Sequence, residues 1–347
     1  MAHIHDYNSS SSCISSLNSR NWRWWLVQIL YIIFQSLIFP GLLFIFFTAL
    51  ATQWIVRKVV ARMQNRMGPA YTGPYGFLQP FADFFKLMSK EDIDVVGSAG
   101  SAVATLLLLA LGALIALILM IPASPWGLYA PGDVIIALYL LLWPTIALVV
   151  AGFAVPNAFS STGSSRFLSL VFAYEPPFIM ALLVPVILAT RYTGAEYSFY
   201  ISALNSASLW IRPGSAIVMA LALFAAILSL QAKLMKKPFD IPEAEQEIIA
   251  GIFTEYSGPK LALIILLHDI ELTVLSFVIV YLFLGGSAPL TGPLGVIAVA
   301  LKYFIVVLMV SWIRASAARL RVDQAIAILW KYILPVAIIS LIVSFFV

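Results

Sequence analysis

The sequence predicts an all-α polytopic membrane protein of about eight transmembrane helices, with an amphipathic interfacial helix in its first loop. Three observations carry that prediction. The 347 residues are 62% hydrophobic and 10% charged, with a mean hydropathy of +0.99, a balance soluble globular domains do not hold. The apolar residues gather into eight stretches long enough to cross a bilayer, over 26–50, 102–121, 133–154, 167–189, 214–232, 260–284, 293–313 and 326–347. Strand alternation is absent, and in lipid the backbone must satisfy its own hydrogen bonds, so these stretches are read as helices.

Residues 1–22 read as a polar leader and 23–347 as a single eight-helix membrane domain. MAHIHDYNSSSSCISSLNSR lacks the basic-then-apolar order of a cleavable signal. His3 and His5 are incidental there, and Trp22, Trp24 and Trp25 with Arg20 and Arg23 suit an interfacial anchor. Cys13 is the only cysteine, which excludes an internal disulfide and a cysteine-held cluster. Any iron–sulfur clusters therefore belong to partner subunits.

The first loop, 57–101, opens with a basic run at helical spacing: Arg57, Lys58, Arg62 and Arg66. A solvated helix end and a docking surface for an acidic partner both fit that run. Gly68-Pro69, Gly73-Pro74 and Gly76 then force turns. In FLQPFADFFKLMSKED the crowded Phe77, Phe81, Phe84 and Phe85 suit an interfacial helix, with Lys86 and Lys90 toward headgroups and Asp83 toward water or a partner. The second loop, rich in proline, reads as a tight connection. PNAFSSTGSSR reads as a small polar turn before the fourth span.

That fourth span carries Glu175 in FAYEPPFIM. Two readings of it remain open: a buried, neutral, hydrogen-bonded acid, or a proton-carrying site of the kind desolvation creates. The sixth span carries His268, Asp269 and Glu271 within four residues. His268 and Glu271 share a helix face while Asp269 points elsewhere, and ionisable groups within a membrane helix are read as functional. No second histidine lies near enough for a zinc site. Lys302 is positioned either to pair with one of these acids or to snorkel, and Lys331 to snorkel.

Between the fifth and sixth spans lies the segment that most needs explaining, KLMKKPFDIPEAEQEIIAGIFTEYSGPK at 233–260. Asp240, Glu243, Glu245, Glu247 and Glu255 crowd beside hydrocarbon, where charge is expensive unless it has water, partners or a proton to carry. The odd-numbered loops hold 14 Lys/Arg and the even-numbered ones 2, so the odd loops are expected to be cytoplasmic and both termini on the outer side of the cell membrane. That bias accounts for the basic pI without any nucleic-acid partner. No phosphate-cradling loop, nucleophile triad or convincing internal repeat appears, and GSAGSA at 97–102 starts a helix with no strand before it. The chain therefore holds no complete active site.

QNRMGPAYTGPYGFLQPFADFFKLMSKEDI, FAYEPP, KKPFDIPEAEQEIIAGIFTEYSGPKLAL and RLRVDQAIAILWKYILP, in that order, resemble the membrane subunit that floors the quinone chamber of respiratory complex I. They also resemble its relatives in membrane-bound hydrogenases and other complex-I-like assemblies, archaeal sulfur-reducing ones among them. The resemblance implies eight transmembrane helices and no redox cofactor in this chain. It implies a hydrophilic arm as partner, with a hydrogenase-like large subunit and an iron–sulfur subunit, and antiporter-like membrane subunits beside it in the lipid. It also implies that Glu175 and the 240–247 acids form the mouth of a buried charged path.

The chain departs from the quinone-reducing pattern at several places. Val56, Lys233, His268-Asp269 and Ala70-Tyr71 stand where those members carry a glutamate, a glutamate, a Glu-Tyr pair and an Asn-Arg pair. The expected function is thus a non-catalytic coupling subunit, taking the effect of electrons from a ferredoxin-type donor to protons, a sulfur compound or a lipid-soluble carrier, and linking it to H⁺ or Na⁺ translocation. The expected charge-relay residues are Glu175, Lys233, Asp240, Glu243, Glu245, Glu247, Glu255, His268, Asp269 and Glu271. Arg62, Arg66, Gln79 and Asp83 are expected to dock the arm or line an acceptor cavity, with 57–101 and 233–260 as the docking loops. A subunit of a conventional quinone-reducing complex I is the alternative, and a standalone cation transporter or a purely structural anchor are further rivals.

Overall fold

A computed structural model describes residues 30–93, 95–123, 130–290 and 292–347. The leader, the tryptophan anchor and Cys13 lie outside them. Among the described residues all regular structure is helical, and eight helices are long and apolar enough to span a membrane.

Helix α1 covers Leu42–Met63, after a short helical stretch and a break. A short helix α2 follows at Gln79–Met88. Then come α3 at Gly100–Leu119, α4 at Val134–Phe153, α5 at Ala158–Thr193, α6 at Phe199–Leu209 and α7 at Pro213–Lys233. Helix α8 is Gly258–Leu282, α9 is Pro293–Ser316, and α10 is Val322–Ser344 with a π turn over Leu329–Ile333.

Several boundaries differ from the sequence expectation, for local reasons. The fourth span begins at Ala158, so most of the expected PNAFSSTGSSR turn is helix. Asn157 caps it by accepting from the Phe159 N–H at 2.9 Å. Ser161, Thr162 and Ser165 then turn their hydroxyls back onto carbonyls three or four residues earlier, which lets polar residues join the helix. The first span continues through Arg57, Lys58 and Arg62, because Leu42–Met63 is one unbroken helix. Helix α6 was not expected at all. Its first turn is capped across the fold by buried Asp133, which accepts from the Phe199 N–H at 2.5 Å and the Ser198 hydroxyl at 3.2 Å.

Helix α8 is the hub. It is apolar nearly all round and buried nearly all round, as a helix without a polar stripe should be. It packs against α1, α2, α3 and α9 on one side and α4, α5, α6 and α7 on the other. Helices α5, α7 and α10 pack on one another as a second bundle, which meets α8 through α5 and α7. The ionisable residues of α8 therefore sit at the centre of the molecule.

All four odd-numbered loops meet at one end. The Ile93 N–H donates to Ser257 Oγ at 3.1 Å, and Lys260 pairs with Asp92 at 3.1 Å. Arg166 reaches Glu247, and the Leu320 N–H donates to the Pro238 carbonyl at 3.0 Å. At the opposite end, Lys302 does not pair with an acid. Its ammonium donates to the carbonyls of Leu284, Gly286 and Ala288 at 2.7, 2.8 and 2.9 Å, just past the C-terminus of α8. Orphan carbonyls and the negative end of a helix dipole attract a cation there.

Candidate functional site

The acidic loop is held down by its apolar residues. Phe239, Ile241, Ala244, Ile248 and Ile252 are buried, while the charged residues between them turn outward or into polar clefts. Its fold depends on Gly251, at φ +52°, where a Cβ would come within 1.9 Å of the Pro242 carbonyl oxygen. Gln231, buried at the end of α7, donates to the Lys237 carbonyl at 2.7 Å and fixes the turn out of the helix. Tyr256 closes the far side by donating to the Ala151 carbonyl at 2.6 Å.

Several clefts open at this end, and three of them hold expected site residues or their partners. One of about 220 Å³ is lined by Lys236, Lys237, Asp240, Glu243, Glu245, Arg314 and Arg319. Within it Arg319 holds Asp240 at 2.6 Å. The second, about 250 Å³, lies between α1, α2 and α8, where Arg57 pairs with Asp83 at 2.6 Å and Gln79 donates to the same carboxylate at 2.8 Å. Asp269 of α8 reaches this cleft from below. Arg57, Arg66 and Arg314 line the third.

Glu243 is only partly open to solvent. Burial pushes its carboxyl up to about 7, against the opposing pull of Lys236. Burial lowers Lys236 in turn, with Glu243 as the largest charge holding it protonated. Lys236 also lies within electrostatic reach of Asp269 and Asp240, and Glu271 within reach of Lys233, Glu175 and Lys236. Deeper still, Lys233 is 1% exposed and donates to Glu175 Oε1 at 2.6 Å and to Thr145 Oγ1 at 3.0 Å.

Ordered by which opposite charges act on one another, these groups alternate in sign: Glu243, Lys236, then Asp269 and Glu271, then Lys233, then Glu175, with Lys233–Glu175 the one bonded pair among them. This file runs from the loop into the middle of the bundle. Glu175 is buried and accepts from Lys233 at 2.6 Å, a geometry compatible with both readings of it. Asp269 and Glu271 each keep one buried carboxylate oxygen with no hydrogen-bond partner among the described residues, a costly state away from a functional setting. His268 is buried beside the turn at Leu234.

The remaining expected residues lie to the side of this file. Glu245 is exposed at the rim. Glu247 pairs with Arg166 at 2.5 Å, and Glu255 accepts from the Asn157 amide, so both tie the loop to α5. In the first loop Asp83 lines one cleft and Gln79 donates to it, whereas Arg62 is exposed on the end of α1 and Arg66 lines the neighbouring cleft. Sequence reasoning missed Lys236, Arg314 and Arg319 as members of the site, and read Arg57 as part of a basic run open to two uses. Their signal was present for Lys236, one turn beyond Lys233, but basic residues at a helix end are absorbed by topology.

The family description NADH dehydrogenase matches residues 36–345. The H subunit of the NADH-quinone oxidoreductase of Dehalococcoides mccartyi strain CBDB1 is 32% identical over 330 residues, covering 92% of this chain and 86% of that protein. The protein of the same name from Thermomicrobium roseum is 34% identical over 306 residues, covering 83% and 88%. Among solved structures, a chain of the membrane-bound sulfane sulfur reductase, an archaeal respiratory membrane complex, superposes with a TM-score of 0.74 at 26% identity, covering 92% of this chain and 99% of that one.

Proposed function

The chain belongs to the NADH dehydrogenase family, and from that premise we propose that it is the membrane-anchor and coupling subunit of a complex-I-like oxidoreductase. In this reading the chain carries out no redox step. Its end with the acidic loop faces the cytoplasm and the hydrophilic arm, which holds the iron–sulfur clusters. The arm takes electrons from a ferredoxin-type donor, and the chain passes the electrostatic effect of their movement to antiporter-like neighbours that translocate H⁺ or Na⁺. Helix α2 lies at the membrane interface, and the Arg57–Asp83 cleft with Arg62, Arg66 and Gln79 docks the arm or borders the acceptor. The acceptor is protons, a sulfur compound or a lipid-soluble carrier.

The observation that carries this reading is the alternating file from Glu243 to Glu175. A charge that appears or vanishes at its mouth shifts the protonation of Glu243, already balanced at about 7, and coupled groups pass that shift along. A conventional quinone-reducing complex I is the second reading, favoured by the names of the two sequence relatives. Lys233 in the buried file favours the first.

The test is the assembled complex in sealed vesicles. Glu243→Gln and Glu245→Gln are each expected to lower ion translocation while the subunits still co-purify, Glu243→Gln the more strongly because Glu245 sits at the exposed rim. Full coupled translocation in both would overturn the relay. Loss of assembly before any loss of coupling would favour a purely structural anchor.

A further inference from the structure

Lys233 is bonded to one buried carboxylate and lies within electrostatic reach of a second. Its ammonium holds Glu175 at 2.6 Å and Thr145 at 3.0 Å, and the rings of Tyr174 and Phe178 lie 5.4 and 5.7 Å away. Glu271, on the central helix, is 1% exposed and leaves Oε1 without a hydrogen-bond partner among the described residues. Lys233 is the largest opposite charge acting on it. A lysine side chain has a long flexible stem and three donors that can be re-aimed. Among the described residues, Glu175 has no second ammonium in contact and Glu271 has none. Lys233 is thus the main balancing charge of two buried acids, with Lys236 a weaker one for Glu271, and only one of the two acids can be ionised cheaply at a time.

We propose that Lys233 is a two-seat carrier, whose ammonium moves between Glu175 and Glu271 as a single proton moves the opposite way. In the first state Glu175 is ionised and paired, and Glu271 carries the proton. In the second Glu175 carries the proton, and Glu271 is ionised and paired. No covalent bond to Lys233 changes, no electron moves, and total charge is the same in both states. The exchange passes a proton from the loop side toward α5 without ever placing an uncompensated charge in the low-dielectric bundle, which is the step a file of buried acids finds hardest. The Tyr174 and Phe178 rings give the cation a favourable surface beside the first seat. Thr145 tethers the first seat.

This inference rests on the coupling role proposed above, and its test separates the two. The assembled complex in vesicles is compared for wild type, Glu271→Gln, Lys233→Met and Glu243→Gln. Glu271→Gln keeps the observed Lys233–Glu175 pair but removes the second seat, so it is expected to lose ion translocation while the subunits co-purify. Lys233→Met is expected to do the same. Translocation kept by Glu271→Gln but lost by Glu243→Gln would sink the carrier and leave the coupling role standing; translocation kept by both would sink the coupling role. Where a variant does not assemble, redox-induced infrared difference spectra of the wild-type complex decide. One carboxylic-acid C=O band must fall as another rises, and a change in a single band, or none, would overturn the exchange.

Discussion

Replacing Glu243 by glutamine perturbs two titrations at once. Burial is the main reason that Glu243 half-titrates at about 7 instead of its ordinary 4.5. That displacement corresponds to about 3 kcal/mol between the protonated and ionised forms. It is a ceiling, because solvent reaches part of the side chain and screens the effect. The sign follows from proton counting. Between 4.5 and about 7 the folded protein keeps a proton that the unfolded chain has released. Stability therefore falls as pH rises through that window and levels off above it. In Glu243→Gln this component of the slope is absent. The same substitution removes the largest charge that holds Lys236 protonated, so Lys236 falls further. Two assays read these effects. Thermal unfolding of the detergent-solubilised complex across the window should show a shallower pH dependence for the Glu243→Gln variant than for wild type. Acylation of Lys236 by an amine-selective reagent, followed by mass spectrometry, should become faster at a given pH, because only the neutral amine reacts. Equal slopes in the two proteins, together with unchanged Lys236 labelling, would refute the placement of Glu243 as a buried acid facing Lys236.

Three further substitutions test parts of the scaffold. Gly251→Ala puts a Cβ against the Pro242 carbonyl at a φ of +52° and should cost roughly 1–3 kcal/mol; faster proteolysis of the 240–256 loop checks it, and an unchanged digestion pattern contradicts the loop geometry. Lys302→Met leaves the carbonyls of Leu284, Gly286 and Ala288 without their shared donor and should lower the unfolding temperature by an amount equivalent to about 1–3 kcal/mol, with ammonium or alkali salts restoring part of it. Leu114→Ala, at a fully buried position of α3, should cost about 2–5 kcal/mol without changing the ratio of ions moved to electrons transferred in the complex that remains assembled.

The eight spans were legible because hydropathy over about 20 residues is a property of the segment alone. Their ends were less so. Whether Ser161, Thr162 and Ser165 belong to a turn or a helix depends on where Asn157 places its side chain, and the composition of that stretch reads as a turn. The acidic loop announced itself by its chemistry, yet its split into an inward Glu243 and surface ties at Glu247 and Glu255 is set by Arg166 and Asn157, roughly 80 to 100 positions earlier. Lys233 stood out only as a departure from a family pattern. Its partner Glu175 lies 58 positions away, and no local spacing connects them.

The alternation of sign changes what a lysine among buried acids means. A file made only of carboxylates must keep most of them protonated, because like charges in an apolar bundle repel and each carries its own desolvation cost. Placing Lys236 and Lys233 between acids gives each ionised group an opposite neighbour, so the file can hold charge without solvent. Its weakness is mutual dependence, since removing one member of a buried pair strands the other at about 3–5 kcal/mol. Lys233→Glu, which puts there the residue type that the family resemblance expects, is therefore expected to do harm here. It removes the cation that Glu175 and Glu271 both face and adds a third acid beside them. Ion translocation should fall at least as far as in Lys233→Met, read in the same vesicles. Recovery to wild-type coupling in Lys233→Glu would mean that the path works as a plain carboxylate file and that the observed Lys233–Glu175 pair is incidental to it.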